Sequence, residues 1–344
     1  MTGASLPRPP GPAAAYRPAL HRYALAVAIA TGVLLFVGGL VTSTGSAMAV
    51  PTWPLDFGRL FPRMTGGVLF EMGHRFVAAA VGLMTVVLAV WLHVAEPRPG
   101  VRALGVWAAA AVVAQGVLGG LTVLLRLPLA LAISHAGLAE IFFCLNVTIA
   151  LVTSRGWMES PVPPSAPDAG RPDVRALTTA LVAVIYGQIL IGALVRHTGA
   201  GLAIPDFPLA FGRLWPPITT ALVAYQMAHR VGAAVVTAML LWTAGAVLRR
   251  HGSVAALRRP ALLLIVLLAW QIYLGAAIIW TRRAVVPTTT HVLSGGLLLA
   301  TALVLALRSR RLLAAAAAAP AATRAAAMPA SAPAAGPAAS RALP

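Results

Sequence analysis

The chain has 344 residues, 59% of them hydrophobic and 10% charged, with a mean hydropathy of +0.86. A soluble chain of this length cannot carry that much apolar side chain, so composition excludes a soluble globular protein and points to an all-α polytopic membrane protein. The net charge of +18 comes from 26 arginines without a single lysine; no basic face interleaved with aromatics accompanies it, so the charge is assigned to loops and no nucleic-acid partner is expected.

In chain order, residues 1–22 form a polar, Pro-rich tail, expected to be cytoplasmic. Ala47-Met48-Ala49 imitates a signal-peptidase site, but the block around it recurs later as part of the fold, so cleavage is not expected there. A bilayer core of about 30 Å needs roughly 20 apolar residues per helix. Runs of that length fall near 23–42, 71–93, 104–125, 130–152, 174–195, 222–247, 260–281 and 287–307. Residues 154–173 read as a cytoplasmic linker, and 308–344 as a disordered Ala/Pro-rich cytoplasmic tail. Cys144, the single cysteine, lies inside a span and allows no internal disulfide.

The halves match. GGLVTSTGSAMAVPTWPLDFGRLFP (38–62) aligns without gaps to GALVRHTGAGLAIPDFPLAFGRLWP (192–216), with 14 of 25 positions identical. His74-Arg75 matches His229-Arg230, Gln115 matches Gln271, and His135 matches His291. Four helices per repeat is an even number, so the expected architecture is two parallel-repeat four-helix bundles, 23–153 and 174–307. With the N-terminus inside, 17 arginines fall in inner segments and 7 in outer loops. The bias favours both termini in the cytoplasm, although Arg282 and Arg283 run against it.

Of eight histidines, His21, His93, His197 and His251 read as interfacial or solvated. His74, His135, His229 and His291 form two repeat-matched pairs, each within about two turns of the outer start of its span. Neutral imidazoles facing each other across a four-helix bundle suit a b-type haem. Packing or interhelical hydrogen bonding is the bland alternative, but polar groups in lipid are costly and usually functional. Zinc is not expected, since neither half offers a matched third ligand, and no nucleotide site is expected either. Arg75 and Arg230 suit haem propionates or snorkelling to the interface. Gln115 and Gln271 are expected to bond between helices. Trp53 and Trp215 in the outer loops suit capping of the bundles or interfacial anchoring.

These motifs together (GGLVTSTGSAMAVPTWPL, EMGHR, ISHAGLAE, GALVRHTGAGLAIPDFPL, QMAHR and TTHVLSGG) resemble the haem A synthase family over residues 22–307. The resemblance implies a bacterial inner-membrane oxidoreductase that converts the C8 methyl of haem O to a formyl group by successive hydroxylations and loss of water, for cytochrome c oxidase assembly. It implies that His229 and His291 ligate a haem b iron, that His74 and His135 line or ligate the substrate haem O, and that Glu71 is the family's acidic residue three before the histidine. A haem O synthase and an electron-transfer partner are implied, and a homo-oligomer is compatible. Some members carry a cysteine pair in an outer loop, which this chain lacks. Glu140, five residues after His135 and matched by Gly296, has no role in this scheme.

Two rivals remain. A di-haem b-type electron carrier would transfer electrons and modify nothing; the contrast of Glu71 with Gln226, each three before its histidine, argues against it. A transporter built from parallel repeats lacks Gly/Pro-broken spans with ion-binding carboxylates.

Overall fold

The protein is described by a computed structural model over residues 15–55, 58–59, 63–159, 168 and 172–317. Of the tail expected to be disordered over 308–344, residues 308–317 are instead the end of a helix; 318–344, and the first 14 residues of the N-terminal tail, lie outside the described residues. Among the described residues nine α-helices follow in order: α1 Pro18–Ser43, α2 Gly66–Ala95, α3 Pro99–Leu124, α4 Leu129–Val152, α5 Arg155–Met158, α6 Val174–His197, α7 Ala221–His251, α8 Ala255–Trp280 and α9 Val285–Ala317. All but the four-residue α5 are long and apolar enough to cross a membrane, and among the described residues no sheet forms. Helices are the open-chain solution in lipid, because each satisfies its own backbone hydrogen bonds. The protein is a multi-pass helical membrane protein.

Local sequence sets the helix ends. Proline at the first helical positions opens α1 and α3, where its missing N–H costs nothing. Asp173 and Thr220 cap α6 and α7 by accepting from Ala176 N–H and Val223 N–H. The repeated Thr-Gly at 44–45 and 198–199 stops α1 and α6 alike, with Gly45 at φ +70° and Gly199 at φ +74°; that left-handed step is cheap only for glycine. Four of the eight spanning helices, α1, α2, α3 and α8, start five residues before their apolar runs. Thus α2 begins at Gly66, so Glu71, His74 and Arg75 lie inside continuous helix. Likewise, α9 runs on to Ala317.

Helix contacts close into two rings, α1–α2–α3–α4 and α6–α7–α8–α9, which fits two four-helix bundles. The rings meet along a seam of α1 on α9, α4 on α6, and α4 on α9. The first two contacts exchange if the halves exchange, as two-fold pseudo-symmetry requires. α4 on α9 therefore lies on the pseudo-axis. Leu20, Leu88, Leu92 and Ile149 are fully buried in the first ring, and Leu181, Leu240, Leu264 and Leu305 in the second. Both cores occupy the part of the bundle away from the long loops 44–65 and 198–220. The paired histidines sit at the loop end of each bundle.

At the opposite end, short ties close the turns. Glu96, buried, pairs with Arg98 at 2.7 Å, and Arg98 also donates to the Val152 carbonyl, fastening the α2–α3 turn to the end of α4. Burial pushes the Glu96 carboxyl up, but the hydrogen bonds and charge of Arg98 outweigh it and hold the group below its ordinary value.

Candidate functional site

His74 and His229 lie eight residues past the first residues of α2 and α7; His135 and His291 lie six past those of α4 and α9. The four rings therefore occupy one level, about 9–12 Å along their helices from the loop end. Each is half-buried rather than sealed.

A shared cradle holds each ring. A Cβ added at Gly38 of α1 would lie 3.0 Å from Cε1 of His74, and at Gly192 of α6 3.1 Å from Cε1 of His229. At Gly119 of α3 the distance to Cε1 of His135 is 3.3 Å, and at Gly275 of α8 to His291 it is 3.4 Å. Glycine is what lets a neighbouring helix press its backbone against each imidazole. One turn before three of these glycines stands a glutamine, on the same helix face. Gln115 donates to the His135 carbonyl at 3.0 Å, and Gln271 to the His291 carbonyl at 3.2 Å. Gln188 donates to the His229 carbonyl at 2.8 Å and faces Nδ1 of the same ring at 3.0 Å.

The interhelical bonds expected of Gln115 and Gln271 are thus present. Gln188 was missed, because its repeat position is Leu34 and only matched polar positions were singled out. Its signal was there: Gln188-x3-Gly192 repeats the spacing of Gln115-x3-Gly119 and Gln271-x3-Gly275.

The second pair fits a metal-centred planar group. Metal–imidazole bonds of about 2 Å put two rings that share one iron about 6 Å apart between centroids. The His229 and His291 centroids are 6.5 Å apart. Nδ1 of His74, His135 and His291 is buried without a hydrogen-bond partner, whereas His229 Nδ1 faces Gln188 and His291 Nε2 faces Gln271 Nε2 at 3.3 Å; among the described residues no carboxylate pairs with any of the four rings. Imidazoles held against glycine backbone, with glutamine rather than carboxylate neighbours, suit haem ligation. His74 and His135 are close enough to interact electrostatically.

The residues flanking the histidines hold the loops. Glu71, buried, accepts from Val50 N–H through Oε2 at 2.8 Å and pairs with Arg75 through Oε1 at 2.6 Å. Arg75 also donates to the Val50 and Thr52 carbonyls at 2.9 and 2.7 Å. The other half repeats this clasp with neutral chemistry: Gln226 accepts from Ile204 N–H and donates to the Gly201 carbonyl at 3.0 Å. Arg230 donates to the Asp206 and Leu209 carbonyls at 2.6 and 2.8 Å. Val50 and Ile204 are both fully buried under these clasps. Trp53 lies on Gly120 beside the His135 cradle, whereas Phe207, its counterpart, packs edge-on to Trp280 and under Arg230. Trp215 is mostly exposed.

Comparison with known proteins gives the family. The COX15-CtaA family, described as cytochrome oxidase assembly protein, matches residues 65–304. A heme A synthase of Symbiobacterium thermophilum is 35% identical over 249 residues, covering 70% of this chain and 78% of the relative. Heme A synthases of Halalkalibacterium halodurans and Alkalihalophilus pseudofirmus are each 29% identical, covering 72% and 76% of this chain and 83% and 88% of theirs. With two thirds of its length matched and a pair of histidine cradles in each half, the chain belongs to the COX15-CtaA family.

Proposed function

We propose that the protein is a haem A synthase, an oxidoreductase that converts the C8 methyl of haem O to a formyl group by successive hydroxylations and loss of water. The observation that carries this reading is the cradle geometry: two pairs of imidazoles at one level, each against a glycine backbone, in a chain whose named relatives are heme A synthases. In this reading His229 and His291 hold haem b, and His74 and His135 take the substrate haem. Haem b, when bound, supplies one-electron transfer. The chain itself holds the rings rigid through the glycine contacts, and shuts water from each pocket mouth with a clasped loop.

Glu71 has a proposed chemical role beyond the clasp. It stands three residues before His74, one turn away on the same helix face, and no acid occupies the matching position in the other half, where Gln226 stands. From there it accepts protons released as the methyl group is oxidised, with Arg75 stabilising the anion between steps.

Arginine placement supports an orientation with both termini cytoplasmic and the pockets toward the outer face. Reporter fusions in 154–173 test it, and an external linker would reverse it. A di-haem electron carrier is the second reading, favoured by one observation: a glycine backbone meets each of the four rings, and Glu71 and Gln226 do the same work on their loops. Extraction of haems from a host lacking this activity, with and without the gene, decides. Haem A or its hydroxylated precursor is expected; unchanged haem O alongside stoichiometric haem b would make the protein a carrier.

A further inference from the structure

The arginines that follow the histidines bond loop carbonyls; at the same end, Arg196 and Arg283 are among the arginines with no ion pair among the described residues. Arg196, in the last turn of α6, reaches across the seam to the Gly39 carbonyl of α1 at 2.5 Å and Ser43 Oγ at 3.1 Å. Arg283, in the α8–α9 turn, lies over Gly201 and close enough to Arg196 for their charges to interact. Arg196 also acts electrostatically on His291.

No ion pair among the described residues involves either arginine. Asp206 is the only acid in residues 174–344, and it accepts from the Phe211 and Gly212 amides. Arg196 is partly withdrawn from solvent and Arg283 is exposed; like charges near each other repel, and an anion bound between them relieves that repulsion.

The other half shows that the scaffold does not require them. Thr42 stands at the position of Arg196 and Leu127 at that of Arg283. The turn itself is the same in both halves. Arg126 and Leu127 have φ of 59° and 60°, Arg282 and Arg283 of 51° and 70°. Leu127 N–H bonds back to the Thr122 carbonyl as Arg283 N–H does to Ile278. Leucine makes the turn, so arginine at 283 answers to something beyond the backbone.

We propose that Arg196 and Arg283 form an anion site at the mouth of the C-terminal bundle that binds a propionate carboxylate of its haem, so that this haem is retained while haem in the N-terminal bundle exchanges. The inference rests on the proposed haem b pocket at His229 and His291. Guanidinium matches a carboxylate in shape and charge, and a charge-assisted pair at a partly desolvated site slows dissociation more than association. An enzyme that keeps one porphyrin and releases another needs such a difference between otherwise matching pockets.

The test is the rate at which purified protein, loaded with haem b, gives up haem to excess apomyoglobin. Arg196→Gln with Arg283→Gln is expected to speed the loss about tenfold, and Arg283→Gln alone about threefold. The low-spin bis-histidine spectrum of the haem still bound should be unchanged. Arg196→Lys should recover part of the difference. Loading with haem b dimethyl ester, which lacks the carboxylates, should abolish the difference between wild type and variants. Equal loss rates for haem b, or an equal acceleration with the ester, would overturn the proposal, the latter by showing a loosened seam. A difference that arises only when phosphatidylglycerol is added would assign the arginines to a lipid phosphate instead. Absence of any low-spin haem from the wild type would remove the haem b pocket itself, a failure distinct from that of the arginines.

Discussion

The two bundles agree where they hold a ring and differ where something must enter, leave or meet the other bundle. Both press a glycine backbone on each imidazole, and both clasp a loop by bonding a buried helix side chain to one buried amide, Val50 or Ile204. They part at the clasp, charged at Glu71–Arg75 but neutral at Gln226, and at the mouth, where Thr42 and Leu127 face Arg196 and Arg283. They part again at the seam. A Cβ on Gly296 would lie 2.8 Å from Oε2 of Glu140, its own repeat counterpart. On a pseudo-two-fold axis a residue meets its mate, and two long side chains cannot share that space. Duplication preserves the cradle, which does the same job twice; divergence gathers at positions where the jobs differ.

The largest expected effect breaks the comparison at the iron ligands. His229→Ala or His291→Ala should abolish the low-spin b-type spectrum of the purified protein, while His74→Ala or His135→Ala should leave most of it and stop haem A formation. Equal loss of absorbance from both halves would mean that the pockets share one role.

Next comes the clasp. Gln226 demonstrates that glutamine can accept the loop amide, so Glu71→Gln should keep the fold and the haem b while removing the charge. Haem O or a hydroxylated intermediate should then accumulate, with Glu71→Asp partly active. Wild-type yields of haem A from Glu71→Gln would reduce the residue to loop support. Gln226→Ala leaves Ile204 N–H unpaired, and is expected to cost about 1–3 kcal/mol of stability with smaller loss of turnover.

A third test addresses the seam. Gly296→Ala drives a methyl group into the Glu140 carboxyl and should cost about 1–3 kcal/mol, read as a lowered thermal midpoint. Adding Glu140→Ala should restore most of it; additive losses would show that the two positions do not meet.

Smaller still, Gly192→Ala puts a methyl 3.1 Å from His229 Cε1, so the ring must turn by a few tenths of an ångström. The electron paramagnetic resonance g-values of the bound haem should shift while its occupancy stays near wild type. Gly38→Ala should leave that signal unchanged.

The smallest effect concerns the C-terminal loop. Hydrogen bonds from the Gly212 and Phe211 amides hold the Asp206 carboxyl below its ordinary value. A depressed carboxyl stabilises the loop above its unfolded pKa and loses that contribution as pH falls through the folded value. Proteolysis within 205–214 should therefore rise at acid pH in wild type, and Asp206→Asn should be more nearly pH-independent.

Much of the site could be read from residues alone. Apolar length located the eight spans, and the repeat located the histidine pairs, because a polar group in lipid stands out against its surroundings. Gln188 escaped because a matched-position search discards a residue present in one half only. Glu140 made no sense in sequence, since its explanation lies on a different helix. The charge contrast of Glu71 with Gln226 suggested different jobs, yet both residues bond the same loop amide.

By itself, the sequence determined the helical membrane class, the duplication and the level of the histidines, since these follow from hydropathy, spacing and helix rise along one chain. Tertiary structure alone decided which glycine touches which ring, which arginines are occupied by loop carbonyls and which are left unpaired, and that Glu140 meets Gly296 across the axis. Those facts depend on how helices distant in sequence approach and rotate against one another. Packing at that scale is set by the whole bundle, with no local residue pattern to announce it.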